Sequence, residues 1–309
     1  MARRSNPKLQ KENFSIFEKW VVIGIAIAIA FFFVGYFFKG HNNSLKATVL
    51  ETPKNEMKTL PPDIKKQLQT KPASISATLR VPILMYHYVE YVQDKKDTIR
   101  QSLNIQPFTF DQQIKTLLNA GYTFITAKDL GDVLDGKMEL PAKPIILTFD
   151  DGHWDLATDV LPILKKYNVH ATAYIVAGFI GTNSDSLNRA QMQELIDSGL
   201  IDIGAHTVHH ISLKGQPLAK VQNEVDESKT MLEQEYNLKV YSFAYPYGAF
   251  DQQAVNIVKQ AGFTTATSTV PGIVQSQQNR FFLYRLRPGY RTGQVLLNYL
   301  NQNIFGAYN

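Results

Sequence analysis

The segment Ile145-Ile-Leu-Thr-Phe-Asp-Asp-Gly152 runs from an apolar stretch straight into two adjacent carboxylates and a glycine. Successive strand residues point to opposite faces, so Asp150 and Asp151 can serve one site only if the chain turns there, and Gly152 permits that turn. Two carboxylates this close repel, so a cation or a shared proton is expected beside them. A polar strand end closed by a turn is the plainer alternative. A second apolar run, Ile201-Asp-Ile-Gly-Ala-His-Thr-Val-His-His210, also ends in polar residues. His206 and His210 are four apart and would share a face if this loop turned helically, a spacing that suits a metal. His209 would point away on such a turn. The pattern is not H-E-x-x-H, because Thr207 follows the first histidine.

Asp151, His206 and His210 together make a candidate His₂-carboxylate metal site with open positions for water and substrate. Nitrogen and oxygen ligands without sulfur suit Zn²⁺ best, with cobalt, nickel, iron and manganese as alternatives. Such a site lowers the pKa of bound water from about 15.7 towards about 7 and polarises a carbonyl. Asp150, the remaining carboxylate, could then act as general base. The chain contains no cysteine, which excludes disulfides, a thiolate metal site and a cysteine nucleophile.

The elements that must position these groups are legible from apolar runs at 81–86, 122–125, 144–149, 171–176, 201–205, 241–244, 264–268 and 282–286. Their continuous apolar character suggests strands buried on both faces. Helical patterns fall between them. One follows an apparent capping box at Thr109-Phe-Asp-Gln112, and others cover 188–198, 218–236 and 252–261. The alternation predicts an α/β fold: a distorted (β/α) barrel of seven to eight strands, with an open doubly wound sheet as the alternative. No G-x-G-x-x-G follows a strand, so a dinucleotide site is not supported. Either architecture places chemistry just past the carboxyl ends of the strands.

Thr148-Phe-Asp-Asp-Gly152 followed by His206-Thr-x-x-His210 resembles the signature of the polysaccharide deacetylase (NodB-homology) family, carbohydrate esterase family four. The resemblance runs from about Val81 to the C-terminus. It implies a distorted (β/α) barrel and metal-dependent removal of acetyl groups from N-acetylated sugars. By that match Asp150 corresponds to the catalytic base, and Asp151, His206 and His210 to the metal triad. Pro246, Tyr247 and Gly248 match part of the family's Arg-x-Pro-Tyr-Gly loop, which implies an oxyanion-hole role for the Tyr247 backbone N–H. Ala244 stands where the family has the arginine that orients the base; Arg285 and Arg287 are the nearest substitutes by strand-end position. The late histidine motif that supplies the general acid is absent, since no histidine follows His210, and the tryptophan motif that shapes the acetyl pocket is not recognisable. Val81-Pro-Ile-Leu-Met-Tyr-His87 is similar to the opening strand of extracellular deacetylases acting on poly-N-acetylglucosamine, a branch in which the acid comes from this strand. The resemblance therefore implies His87 as the acid, against a plain rim histidine. His170 precedes a strand and should lie at the opposite end of the barrel; His153 and His209 are expected to point outwards. Tyr86, Tyr88, Trp154, Tyr245 and Tyr247 could present rings to a sugar, although packing is the commoner role for each.

The net charge of +5 is unevenly spread: residues 1–79 hold 12 Lys+Arg against 5 Asp+Glu, and residues 80–309 hold 20 against 22. A near-neutral body argues against nucleic acid as a partner. Residues 20–38 carry no charge and no proline and would span about 28 Å as a helix, close to a bilayer core. Arg3, Arg4, Lys8, Lys11 and Lys19 precede this run and only Lys39 follows it closely, which places the N-terminus in the cytoplasm. The expected organisation is a cytoplasmic 1–19, an uncleaved transmembrane signal-anchor at 20–38, an extracellular linker at 39–79 and a deacetylase domain at 80–309. The expected function is an outward-facing, metal-dependent N-deacetylase of a cell-envelope or extracellular polysaccharide, either peptidoglycan or poly-N-acetylglucosamine. An O-acetyl esterase and a non-catalytic glycan-binding module on the same barrel are the alternatives. No protein partner is expected.

Overall fold

The computed structural model describes residues 78–94 and 96–302. Among the described residues no helix is long and apolar enough to cross a membrane. The anchor expected at 20–38 lies outside them, as does all but the end of the expected linker.

Seven parallel strands follow one another around a ring in the order Ile83–Tyr86, Pro144–Phe149, Ala171–Ile175, Ile201–Ala205, Ser242–Ala244, Thr265–Pro271 and Leu283–Arg285. The ring closes where Met85 N donates to Leu286 O and Leu286 N to Ile83 O, both at 2.8 Å. An eighth strand, Thr123–Ile125, pairs with the amino-terminal half of Pro144–Phe149 and stands outside this path. The closure is that of the expected distorted barrel and not of the open sheet that was its alternative. All eight expected strands occur, with some ends shifted.

Strand alternation sorts the core. Leu84, Tyr86, Ile145, Leu147 and Phe149 join a large cluster with Phe110, Ile114 and Leu117 of the helix Pro107–Asn119. Ile83, Ile146 and Leu283 form a smaller cluster with Ile125 and Leu130. Two residues further along those same strand faces come Met85, Thr148 and Arg285. All six residues of Pro144–Phe149 are buried, as a strand covered on both faces requires.

The helix Pro107–Asn119 starts upstream of the expected capping box, with Gln106 at the N-cap and no side-chain cap. Pro107 presets a helical φ and needs no N–H partner, so the first turn forms before Thr109. Arg189–Asp197 does carry a reciprocal capping box, between Asn188 and Gln191. Leu79–Arg80 pairs antiparallel with Val274–Gln275, so Leu79, assigned by sequence to the linker, already belongs to the fold.

Inside the wall, a Cβ on Gly204 would lie 2.5 Å from Tyr174 Cδ1 and 2.8 Å from Ser242 Oγ, both fully buried. Gly204→Ala should therefore cost about 1–3 kcal/mol by overpacking. Urea denaturation of the two proteins reads this directly, and an unshifted midpoint would mean that Tyr174 can move aside.

Candidate active site

The Pro144–Phe149 strand delivers Asp150 into the barrel mouth, where Asp150 N donates to Tyr86 O at 3.0 Å. The chain then reverses in two left-handed residues, Asp151 (φ +74°) and Gly152 (φ +76°). The turn thus begins in Asp151 itself, one residue before the glycine. A Cβ at Gly152 would sit 3.1 Å from Ile175 Cδ1, so this position has little room for a side chain. Among the described residues, seven non-glycine residues have positive φ, and Asp151, Thr207, His210 and Tyr247 are four of them. Such backbone conformations cost free energy and concentrate at functional sites.

Asp151, His206 and His210 converge. Asp151 Oδ1 lies 3.3 Å from His206 Nε2 and 3.2 Å from His210 Nε2, and one ligand atom from each residue falls within 4.8 Å of the others. His206 Nδ1 donates to Ala244 O at 2.7 Å, which turns the Nε2 lone pair to the shared point. Asp151 Oδ1 is buried and has no hydrogen-bond partner. An orphaned carboxylate oxygen facing two imidazole nitrogens fits a divalent cation with three protein ligands. Burial raises the Asp151 carboxyl, but His153, His206 and His210 outweigh it and hold the group well below the usual carboxylate range.

The histidine loop is not the helical turn its spacing suggested. Thr207 (φ +67°) and His210 (φ +53°) are left-handed, and the buried Glu224 supports the loop instead. Glu224 Oε2 accepts from Val208 N and His209 N, both at 3.0 Å, and its Oε1 lies 2.8 Å from His209 Nδ1. This draws His209 away from the metal ligands, with its side chain 66% exposed.

Asp150 is held by a residue from the far end of the chain. Arg285 Nη1 and Nη2 donate to Asp150 Oδ1 and Oδ2, each at 2.7 Å. Arg285 Nε donates to Ser268 O at 2.8 Å and Nη1 also to Thr148 Oγ1 at 3.1 Å. Arg285, not Arg287, thus takes the place of the arginine missing at Ala244. Burial raises the Asp150 carboxyl, but the charge and hydrogen bonds of Arg285 outweigh it, so the group is held below its ordinary value. The sequence signal was only a strand-end arginine; closure of the ring puts it opposite Thr148.

His87 lies at the end of the first barrel strand with Nε2 4.0 Å from Asp150 Oδ2. Burial, helped by Arg287 and Arg285 and opposed by Asp150 and Asp151, lowers its pKa to about 4. His153 does not point outwards. Its Nε2 lies 3.3 Å from Asp151 Oδ2, its ring stacks on Tyr88 at 3.8 Å, and Nδ1 lies 3.3 Å from Asp185 O. The reversal at Asp151 and Gly152 carries it back over the carboxylate. Tyr247 sits in the tight turn Pro246–Gly248 at φ +59°, 68% exposed, with its ring 4.6 Å from His210. Tyr86 and Tyr245 are buried in the core. His170 lies at the other end of the barrel, in a cavity with Thr126 and Asp202.

Residues 137–266 match the family description Polysaccharide deacetylase. That span holds Asp150, Asp151, His206, His210 and Tyr247, but neither His87 nor Arg285. The chain is 29% identical over 250 residues to YxkH of Bacillus subtilis, which is provisionally named a polysaccharide deacetylase; the match covers 78% of this chain and 82% of that protein. It is 24% identical over 198 residues to the poly-beta-1,6-N-acetyl-D-glucosamine N-deacetylase of Staphylococcus aureus, covering 60% of this chain and 68% of that one. The fold is similar to that of the Streptococcus pyogenes deacetylase PplD in complex with acetate, with a TM-score of 0.67 and 27% identity, covering 73% of this chain and all of that one.

Three outcomes are expected from this geometry. Asn or Ala at Asp151, His206 or His210 should sharply lower the divalent metal the protein takes up, because three ligands leave little redundancy; elemental analysis of each variant checks this, and stoichiometric metal in any of them would contradict the assignment. Arg285→Ala should destabilise the protein by about 3–5 kcal/mol, because it leaves a buried carboxylate uncompensated. Adding Asp150→Asn should recover part of that loss, with a coupling of about 1–3 kcal/mol in a double-mutant cycle. The depressed His87 pKa makes the unfolded chain bind the proton first, so His87 costs stability as pH falls from about 6.5 to about 4. In metal-free protein, His87→Ala should therefore flatten the fall in urea midpoint across that window, while an identical fall in both proteins would place the titration elsewhere.

Proposed function

Because the chain carries a polysaccharide deacetylase domain, we propose that it is a membrane-anchored, outward-facing hydrolase that removes N-acetyl groups from N-acetylglucosamine units of a cell-envelope or extracellular polysaccharide. Residues 20–38 supply the anchor and residues 39–78 the tether in this reading. The single observation that carries it is one cleft in which a clamped, ionised carboxylate stands beside a His₂-carboxylate trio. The S. aureus relative and the early-strand histidine favour poly-N-acetylglucosamine over peptidoglycan as the polymer.

Asp151, His206 and His210 would hold the cation, most suitably Zn²⁺. When bound, it acidifies a water and polarises the acetyl carbonyl. Asp150, kept ionised by Arg285, takes the proton from the attacking water. The Tyr247 backbone N–H stabilises the negative charge that develops on the acetyl oxygen. His87 rests neutral near pH 7, so the proton it delivers must be one received during turnover. Asp150 Oδ2, 4.0 Å away, is the neighbouring source. An imidazolium with a resting pKa of about 4 is a strong acid once formed, which suits protonation of the leaving nitrogen. O-deacetylation would use the same base and metal but would depend less on His87.

Acetate release by the zinc-loaded chain from poly-N-acetylglucosamine, peptidoglycan and O-acetylated xylan tests the reading. N-acetyl release that is abolished by Asp150→Asn, with metal retained, is the expected result; release from xylan alone would make the protein an esterase. His87→Ala should slow amide cleavage by about 10²–10⁴-fold. An activated aryl acetate, whose leaving group needs no proton, should suffer much less.

A further inference from the structure

The turn that carries Asp151 continues into Trp154 and is stitched to the segment ahead of the helix Arg189–Asp197. Leu187 N donates to Gly152 O at 2.9 Å, Trp154 N to Asp185 O at 3.1 Å, and Gly181 N to Leu187 O at 2.9 Å. Between the two segments lies an open cavity of about 480 Å³, lined by Trp154, Asn183, Ser184, Ser186, Asn188 and Gln191 among others. The lining is one indole with hydroxyls and amides, and it contains no ionisable side chain. A lining of this kind favours an uncharged ligand, and Arg189, which approaches at Gly181, is already paired with Glu235.

The three amides are engaged in the same way. Asn183 Oδ1 accepts from Asp185 N at 3.0 Å, Asn188 Oδ1 from Gln191 N at 2.9 Å, and Gln191 Oε1 from Asn188 N at 2.9 Å. Each carbonyl is thus engaged within the fold, which leaves the NH₂ end of each amide as the group a ligand acceptor can meet. The capping box at Asn188 and Gln191 holds two of them in place before any ligand arrives. An indole face beside fixed amide donors and hydroxyls matches a neutral sugar, with its apolar ring face, hydroxyl oxygens and acetamido carbonyl.

We infer that this cavity is a subsite for an N-acetylated sugar unit of the polymer next to the one being cleaved, with Trp154 as its stacking platform. The inference rests on the deacetylase reading for the identity of the polymer. It makes the protein an enzyme that grips a chain of several sugars rather than an isolated unit. Because the cavity wall is hydrogen-bonded to the Asp151–Trp154 turn, seating a sugar there also positions its neighbour over the metal ligands.

The chain has two tryptophans, Trp20 and Trp154. In full-length protein carrying Trp20→Phe and Asp150→Asn, emission therefore reports on Trp154 without turnover. Tetramers of β-1,6- or β-1,4-linked N-acetylglucosamine should change that emission saturably, and monomeric N-acetylglucosamine at equal concentration should not. In the active chain, Trp154→Ala should raise the KM for the effective tetramer about tenfold, within the range of ring stacking. The loss should fall on KM rather than kcat, and Trp154→Phe should recover most of it. Flat emission with both tetramers, or an unchanged KM in Trp154→Ala, overturns the subsite. Acetate release with flat emission leaves the hydrolase standing and removes the subsite. Saturable emission without acetate release from the wild-type chain keeps the glycan groove and removes the deacetylase.

Discussion

A buried ion pair between Arg285 and Asp150 ties the last barrel strand to the one that carries the paired carboxylates. Both side chains are almost fully withdrawn from water. Desolvating two charges is expensive, and the cost is offset only when the geometry and the remaining hydrogen bonds are good. Here the guanidinium engages both carboxylate oxygens, the Ser268 carbonyl and the Thr148 hydroxyl. Ring closure at Leu286, the next residue, sets the position of Arg285. Barrel closure and orientation of the Asp150 carboxylate are therefore one structural condition, and a shift in either moves the other.

The metal side of the cleft is organised by different means. Two of the three residues, Asp151 and His210, have left-handed backbones that no regular element would hold, and the loops that carry the trio are supported from outside. Ala244 orients His206 through its carbonyl, Glu224 braces the amides after Thr207, and His153 stacks on Tyr88 while facing Asp151. Backbone strain of this kind persists where surrounding contacts over-determine it. The glycines at the turns do complementary work: a Cβ at Gly248 would lie 2.1 Å from Thr269 Oγ1, so the Tyr247 turn can pack only around hydrogen.

Two sources of order thus meet at one point: a rigid charge clamp from the barrel interior and strained loops from its rim. The division suits an enzyme whose base must stay ionised in a nearly dry setting while its substrate is a long chain at the surface. The sequence from residue 80 onward is close to electroneutral, with 20 basic against 22 acidic residues. An uncharged polymer can approach it without an electrostatic barrier. The cavity beside Trp154 has the same character, with amides, hydroxyls and one indole in its lining.

Much of this was written locally. The apolar runs defined eight strands because a strand buried on both faces must be apolar throughout, and the two polar strand ends named Asp150, Asp151, His206 and His210. Local chemistry also foretold the turn at Gly152, though not that Asp151 would share the left-handed strain. What the sequence could not supply was any pairing that depends on which distant segments meet. The position of Arg285 depends on ring closure between segments just over 200 residues apart along the chain (Leu84 meets Leu286). The inward turn of His153 and the withdrawal of His209 depend on Asp151 and Glu224. The capping box expected at Thr109–Gln112 does not form, because the helix already starts at Pro107. Residue type and spacing decided which groups were available; side-chain direction was decided by the tertiary fold, because it follows from partners that chain order does not bring together.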